Sequence, residues 1–177
     1  FIAFSLVASS IYIFNDYKDI YNDRKHPIKK FRPLASGLIE KSTALNLMII
    51  FLVSGSVLMY FLSFKSFIVL TIYILLNFAY SLKLKQIALL DVTIIASGFV
   101  LRIFTGSFAY EVPLTIWIVI MTFLIALFLA LAKRRDDVLI LNKSGKKTRK
   151  SIDGYNLKLI DGIMIMMSAV VIVAYIQ

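Results

Sequence analysis

Three carboxylates, Asp16, Asp19 and Asp23, follow an apolar run from Phe1 to Phe14 at spacings of three and four residues. If the helix of that run continues past Asn15, Asp19 and Asp23 fall about 60° and 20° from Asp16, at about 100° per residue, and all three share one face. Carboxylates this close repel one another, and the simplest relief at neutral pH is a divalent cation that prefers oxygen ligands. Magnesium suits the set, because it takes one or two protein carboxylates and completes its octahedron with water and substrate phosphate. The alternative is a solvated helix end in which Asn15 or Asp16 caps a break.

Arg24, Lys25, Lys29, Lys30 and Arg32 come directly after the acids. An anion-binding patch beside a cation-binding one is what a magnesium diphosphate requires. Pro27 and Pro33 interrupt the helix and let the basic loop fold back over the carboxylates. Farther along, Asp91 opens a second apolar run, where a lone acid is often only a helix cap. Arg102 sits near the middle of that run, where an unpaired basic residue costs roughly 2.5–3.5 kcal/mol in a membrane, so it must face protein, water or an anion. Lys133, Arg134 and Arg135 end another run, with Asp136 and Asp137 next to them as counter-charges.

The elements that position these groups are helices in a membrane. Of 177 residues, 60% are apolar, against about 45–50% in an ordinary soluble domain. Mean hydropathy is +0.86. Crossing about 30 Å of hydrocarbon takes roughly 20 helical residues, and 43–62, 92–110 and 112–132 supply that length, with 66–82 slightly shorter. Residues 1–14 and 162–176 are apolar but shorter, which predicts a fragment that begins and ends inside helices. The expected fold is all-α: a single polytopic transmembrane helical bundle over 1–177, with motif loops at 15–41, 83–91 and 133–158.

Those three loops hold 18 of the 20 Lys and Arg residues. Basic residues gather on the cytoplasmic side, so the loops are predicted to face the cytoplasm. The same asymmetry accounts for the net charge of +10 without nucleic acid and favours contact with anionic membrane lipids. With no cysteine and only His26, disulfide frameworks, thiolate metal sites and multi-imidazole zinc sites are excluded. "SGKKT" at 144–148 lacks the glycine and hydroxyl positions of a nucleotide P-loop and reads as a basic loop. The aromatic residues sit mostly within spans, which leaves a base-stacking surface unsupported.

The pattern of Asn15, Asp16, Asp19 and Asp23, followed by Arg32, Pro33, Ala35, Ser36 and Gly37, resembles the UbiA-type intramembrane prenyltransferase superfamily. "YSLKLKQIALLD", Tyr80 to Asp91, stands where that family carries its second acidic motif. The resemblance runs through nearly the whole chain and implies about six of nine helices, one missing at the start and two at the end. "DRKHPIKKFRPLASG", "GFVLR" at 98–102 and "KRR" at 133–135 are similar to the branch that transfers phosphoribosyl groups to polyprenyl phosphates. His26-Pro27 and the single acid of the second motif depart from the aromatic-substrate branch.

The resemblance implies a transferase in which magnesium on Asn15, Asp16, Asp19 and Asp23 holds the pyrophosphate of phosphoribosyl pyrophosphate. The acceptor is a polyprenyl phosphate lipid whose phosphate oxygen attacks the sugar, so no protein nucleophile is needed and positioning and electrostatics carry the rate. Asp16, Asp19, Asp23 and Asp91 become the catalytic candidates, with Asp91 a second-metal ligand or a partner for a ribose hydroxyl. Arg24, His26, Lys29, Lys30, Arg32, Tyr80, Lys83, Lys85, Arg102, Lys133, Arg134, Arg135 and Tyr155 become candidates for substrate contact. One alternative is an aromatic prenyltransferase using a polyprenyl diphosphate and an acceptor such as 4-hydroxybenzoate. Another is a transporter, against which the carboxylates cluster at helix ends and not at the midplane.

Overall fold

The computed structural model describes residues 1–25, 28–145 and 150–176. Six long helices are present among them: α1 (Ile2–Arg24), α3 (Lys41–Leu62), α4 (Phe64–Leu82), α5 (Leu90–Tyr110), α6 (Ile116–Ser144) and α7 (Leu157–Ile176), with a short α2 (Pro33–Ser36) after α1. The last five long helices are long and apolar enough to cross a membrane. Helix α1 misses that composition because its C-terminal part carries the acids and bases of the first motif. At 1.5 Å per residue, the 19 residues of α4 reach about 29 Å, close to the hydrocarbon thickness. Much of each span is left uncovered by the chain itself, with Phe61, Leu129 and Val173 among the outward-facing side chains. A bilayer is the solvent that suits such surfaces, and the chain is an integral membrane protein.

Two packing units meet along α4 and α5. Val7, Met59, Leu70 and Tyr73 form the buried core of α1, α3 and α4. Val92, Leu131, Ile152 and Ile160 form that of α5, α6, α7 and the turn before α7. Helices α1 and α3 approach closely because Gly55 stands at their crossing: a Cβ there would lie 2.7 Å from the Ala3 carbonyl oxygen and 2.8 Å from Val7 Cγ2. Small residues at such crossings are how membrane helices gain van der Waals contact.

The turns are set locally. Ser63, in extended conformation, separates α3 from α4 and caps α4 by accepting from the Ser66 amide at 3.3 Å. Thr115 caps α6 in the same way through the Ile118 amide at 3.4 Å. Helix α6 runs on through Lys133–Asp137 to Ser144, so this stretch is helix and not the loop that its charge suggested. Leu131, Arg134 and Val138 recur at helical spacing and are all buried, so one face of the extension still has a core to join.

Candidate functional site

Helix α1 does continue through Asp23, which puts the three acids on one face near its C-terminal end. The chain then reverses. Arg32 adopts extended backbone and Pro33 takes the first position of α2, where its missing N–H costs nothing. Leu34 packs with Ile20 and Ala44, which draws α2 onto α1 and α3. The Arg24 Nε donates to the Ala35 carbonyl at 3.0 Å, and Gly37 leaves α2 in the left-handed region at φ +85°. Pro33, Leu34, Ala35 and Gly37 thus help aim Arg32 back at the acids.

Arg32 Nη1 contacts Asp16 at 2.7 Å and Asp23 at 3.0 Å. From a different loop, Lys85 Nζ reaches Asp19 at 2.7 Å and 2.8 Å on its two oxygens and Asn15 at 3.3 Å. The second motif therefore lands on the first. Burial is the main reason that the Asp16 carboxyl lies above the ordinary carboxylate range; Arg32 opposes the rise, while Asp23 and Asp19 add to it. Lys29 lies within electrostatic reach of Asp16 as well. Among the described residues, no three carboxylate, imidazole or thiol groups gather tightly enough to hold a metal. The acids are instead divided between two cationic side chains. In kind, the donors are those that a hard divalent cation takes: four oxygen-bearing side chains line one helix face, and two of them, Asp16 and Asp23, already share one cationic centre.

Asp91 belongs to a second cluster. It is fully buried at the second position of α5, with Leu89 as the N-cap, so it is not a cap. One carboxylate oxygen accepts from Arg134 Nε at 2.6 Å and from the Ser151 hydroxyl at 3.2 Å, and the other accepts from the Tyr155 hydroxyl. Arg134 is also buried and donates to Asp137 at 3.2 Å. The Tyr155 oxygen in turn accepts from the Leu89 amide at 2.9 Å. Burial and the Asp91 carboxylate push the Tyr155 phenol above its usual range. This arrangement makes Asp91 a hub for α5, α6 and the turn before α7. Ser151 went unnoticed in the sequence, where a serine after a basic loop carries no signal.

The remaining candidates are dispersed. Arg102 lies over the rings of Phe4 and Phe99, at 5.2 Å and 5.3 Å to their centroids, and is hydrogen-bonded to the Tyr73 side chain. Arg135 Nε pairs with Asp161 at 2.7 Å, joining α6 to α7. Tyr80 is within electrostatic reach of Arg134, Lys30 lies over the Phe31 ring, and Lys83 and Lys133 are exposed. His26 lies outside the described residues.

An all-helical membrane bundle with two motif loops closed over an acidic helix end defines a class. Residues 1–176 match the UbiA prenyltransferase family, and the chain belongs to it. It is 34% identical to a decaprenyl-phosphate phosphoribosyltransferase of Mycolicibacterium smegmatis, over 99% of this chain and 55% of that protein. Identity to the protein of the same name from Corynebacterium glutamicum is 32%, over 99% of this chain and 53% of the relative. The chain thus spans about half the length of these curated relatives. Among solved structures, a UbiA homologue from Archaeoglobus fulgidus bound to DMAPP and Mg2+ superposes with a TM-score of 0.82 at 20% identity, covering 98% of this chain and 62% of that one.

Proposed function

We propose that the protein acts in magnesium-dependent transfer of a 5-phosphoribosyl group from phosphoribosyl pyrophosphate to a membrane polyprenyl phosphate, with release of pyrophosphate. The observation that carries this reading is the ion pair of Lys85 with Asp19, which joins the two motif loops into one mouth rich in both acids and bases. The substrate class rests on the printed names of the relatives.

Asp16, Asp19 and Asp23, with Asn15, would hold the magnesium, which when bound acts as a Lewis acid and template for the diphosphate. Arg32 and Lys85 offer their N–H donors to phosphate oxygens beside it. Arg24 serves this loop mainly by holding α2, while Lys29, Lys30, Lys83 and Lys133 add positive potential that draws phosphates to the surface. The polyprenyl phosphate oxygen forms the new bond to the anomeric carbon as the bond to pyrophosphate breaks, and the leaving group keeps the electron pair. The basic loops are on the cytoplasmic side in this account, where the water-soluble donor is available.

A second reading keeps the metal site and makes a prenyl diphosphate the donor, with an aromatic acceptor; the fold shared with the DMAPP-bound homologue favours it. Incubating the membrane-reconstituted full-length protein with labelled phosphoribosyl pyrophosphate and polyprenyl phosphate separates the two. Magnesium-dependent label in the lipid phase is expected. Label transferred only from a prenyl diphosphate to 4-hydroxybenzoate overturns the first reading.

A further inference from the structure

The mouth described above depends on Lys85 reaching α1 from a short turn, Leu84–Gln86, between α4 and α5. The turn is closed by its own hydrogen bonds, from the Gln86 amide to the Lys83 carbonyl and from the Ile87 amide to the Leu84 carbonyl, both at 3.1 Å. Its far end is unusual: Leu89 sits at φ +65°, ψ −42°, a conformation that a branched side chain rarely adopts. Such backbone persists only where its surroundings over-determine it.

Two contacts from the turn before α7 do so. The Tyr155 hydroxyl accepts the Leu89 amide at 2.9 Å while donating to buried Asp91. Next to it, Gly154 lies so close to Ala88 that a Cβ added there would come within 2.5 Å of the Ala88 Cβ. Neither atom is the end of a flexible side chain, so any bulk at 154 must push the 88–89 backbone away. The glycine is kept for proximity here, since its backbone is not in the left-handed region. Ser151, on the same turn, adds a hydroxyl to Asp91. Asp91 and Arg134 are the anchor beneath, both almost fully buried.

We infer that Gly154 and Tyr155 are positioning residues: they clamp Ala88 and Leu89 onto the Asp91–Arg134 anchor and so hold Lys85 over Asn15 and Asp19. The inference rests on the proposed function only in what Lys85 is held for. It assigns the turn before α7 a role in the first-motif site that acts through Ala88 and Leu89. A purely structural role for the clamp would act independently of Lys85, whereas a positioning role acts through it.

The test uses the full-length protein in nanodiscs with two readouts, amide exchange over residues 83–90 and the binding of magnesium pyrophosphate, which both candidate donors contain. In Gly154→Ala, exchange over 83–90 is expected to speed by about tenfold or more as the clamp loosens. Pyrophosphate binding is expected to weaken about tenfold, and adding Ala88→Gly, which returns the space, restores both. In a Lys85→Met background, Gly154→Ala should weaken binding by no more than about twofold, because the group it positions is gone. Unchanged exchange, no rescue by Ala88→Gly, or equal losses with and without Lys85 would each overturn the inference. If Gly154→Ala does not accumulate, Tyr155→Phe is read by the same exchange and Lys85-background comparisons. A wild type that binds magnesium pyrophosphate but does not transfer phosphoribose refutes the function reading alone, and the binding cycle still decides this one.

Discussion

Two of the places where the molecule pairs carboxylates with basic side chains differ in their access to water. At the end of α1, the Arg32 and Asp16 side chains are 38% and 31% exposed and those of Lys85 and Asp19 are 20% and 25% exposed, while Asp23, the second partner of Arg32, is buried. At the start of α5, the Arg134 and Asp91 side chains are 2% and 0% exposed. A partly solvated pair costs little to part, and its members can turn to a phosphate or a metal. A buried pair cannot part without leaving a charge in a medium that solvates it poorly. The same residue types therefore make an exchangeable binding face in one region and a fixed anchor in the other.

The sharpest way to break this contrast is Arg134→Ala, which strands Asp91 and should destabilise the protein by about 3–5 kcal/mol. Thermal unfolding in detergent measures it, and adding Asp91→Ala should recover part of the loss; a variant as stable as wild type contradicts the anchor. Next in size, Lys85→Met should weaken binding of the diphosphate donor by about tenfold with stability unchanged within about 1 kcal/mol. A fall in stability matching that of Arg134→Ala would erase the distinction between the regions.

A smaller effect is expected from pH. Burial raises the Asp16 carboxyl, so its destabilising cost is absent below the ordinary carboxylate value and fully felt above the raised one. Magnesium needs the carboxylate form and should bind more tightly as pH rises through that window. Magnesium titrations at several pH values should show this trend, and Asp16→Asn should flatten it. The smallest effect is reserved for Arg135→Ala: its pair with Asp161 is more than two-fifths exposed on both sides, so thermal unfolding should be indistinguishable from that of the wild type.

Much of the exchangeable region was legible in the sequence. The three-and-four spacing of Asp16, Asp19 and Asp23 predicted a shared helix face, and Pro33 marked the return that carries Arg32 back. Local periodicity and turn chemistry set both features, so local reading found them. The anchor was harder to read. Charge composition argued that Lys133–Asp137 was loop, while Leu131, Arg134 and Val138 kept helical spacing and found a core. Asp91 resembled a helix cap because its partners Arg134, Ser151 and Tyr155 lie 43 to 64 residues away. Gly154 carried no signal, since its need is set by a distance to Ala88 that only the fold creates. Arg102 was expected to face protein, water or an anion, and it meets protein, the rings of Phe4 and Phe99 and the Tyr73 side chain, whose identities depend on the fold.

The most direct test of the exchangeable region is calorimetric binding of phosphoribosyl pyrophosphate to the detergent-solubilised full-length protein, with and without magnesium, for wild type and Asp19→Ala. The account predicts binding that requires magnesium and is lost in Asp19→Ala, while the thermal unfolding of that variant stays close to wild type. Equal binding without magnesium, or undiminished binding in Asp19→Ala, would contradict it.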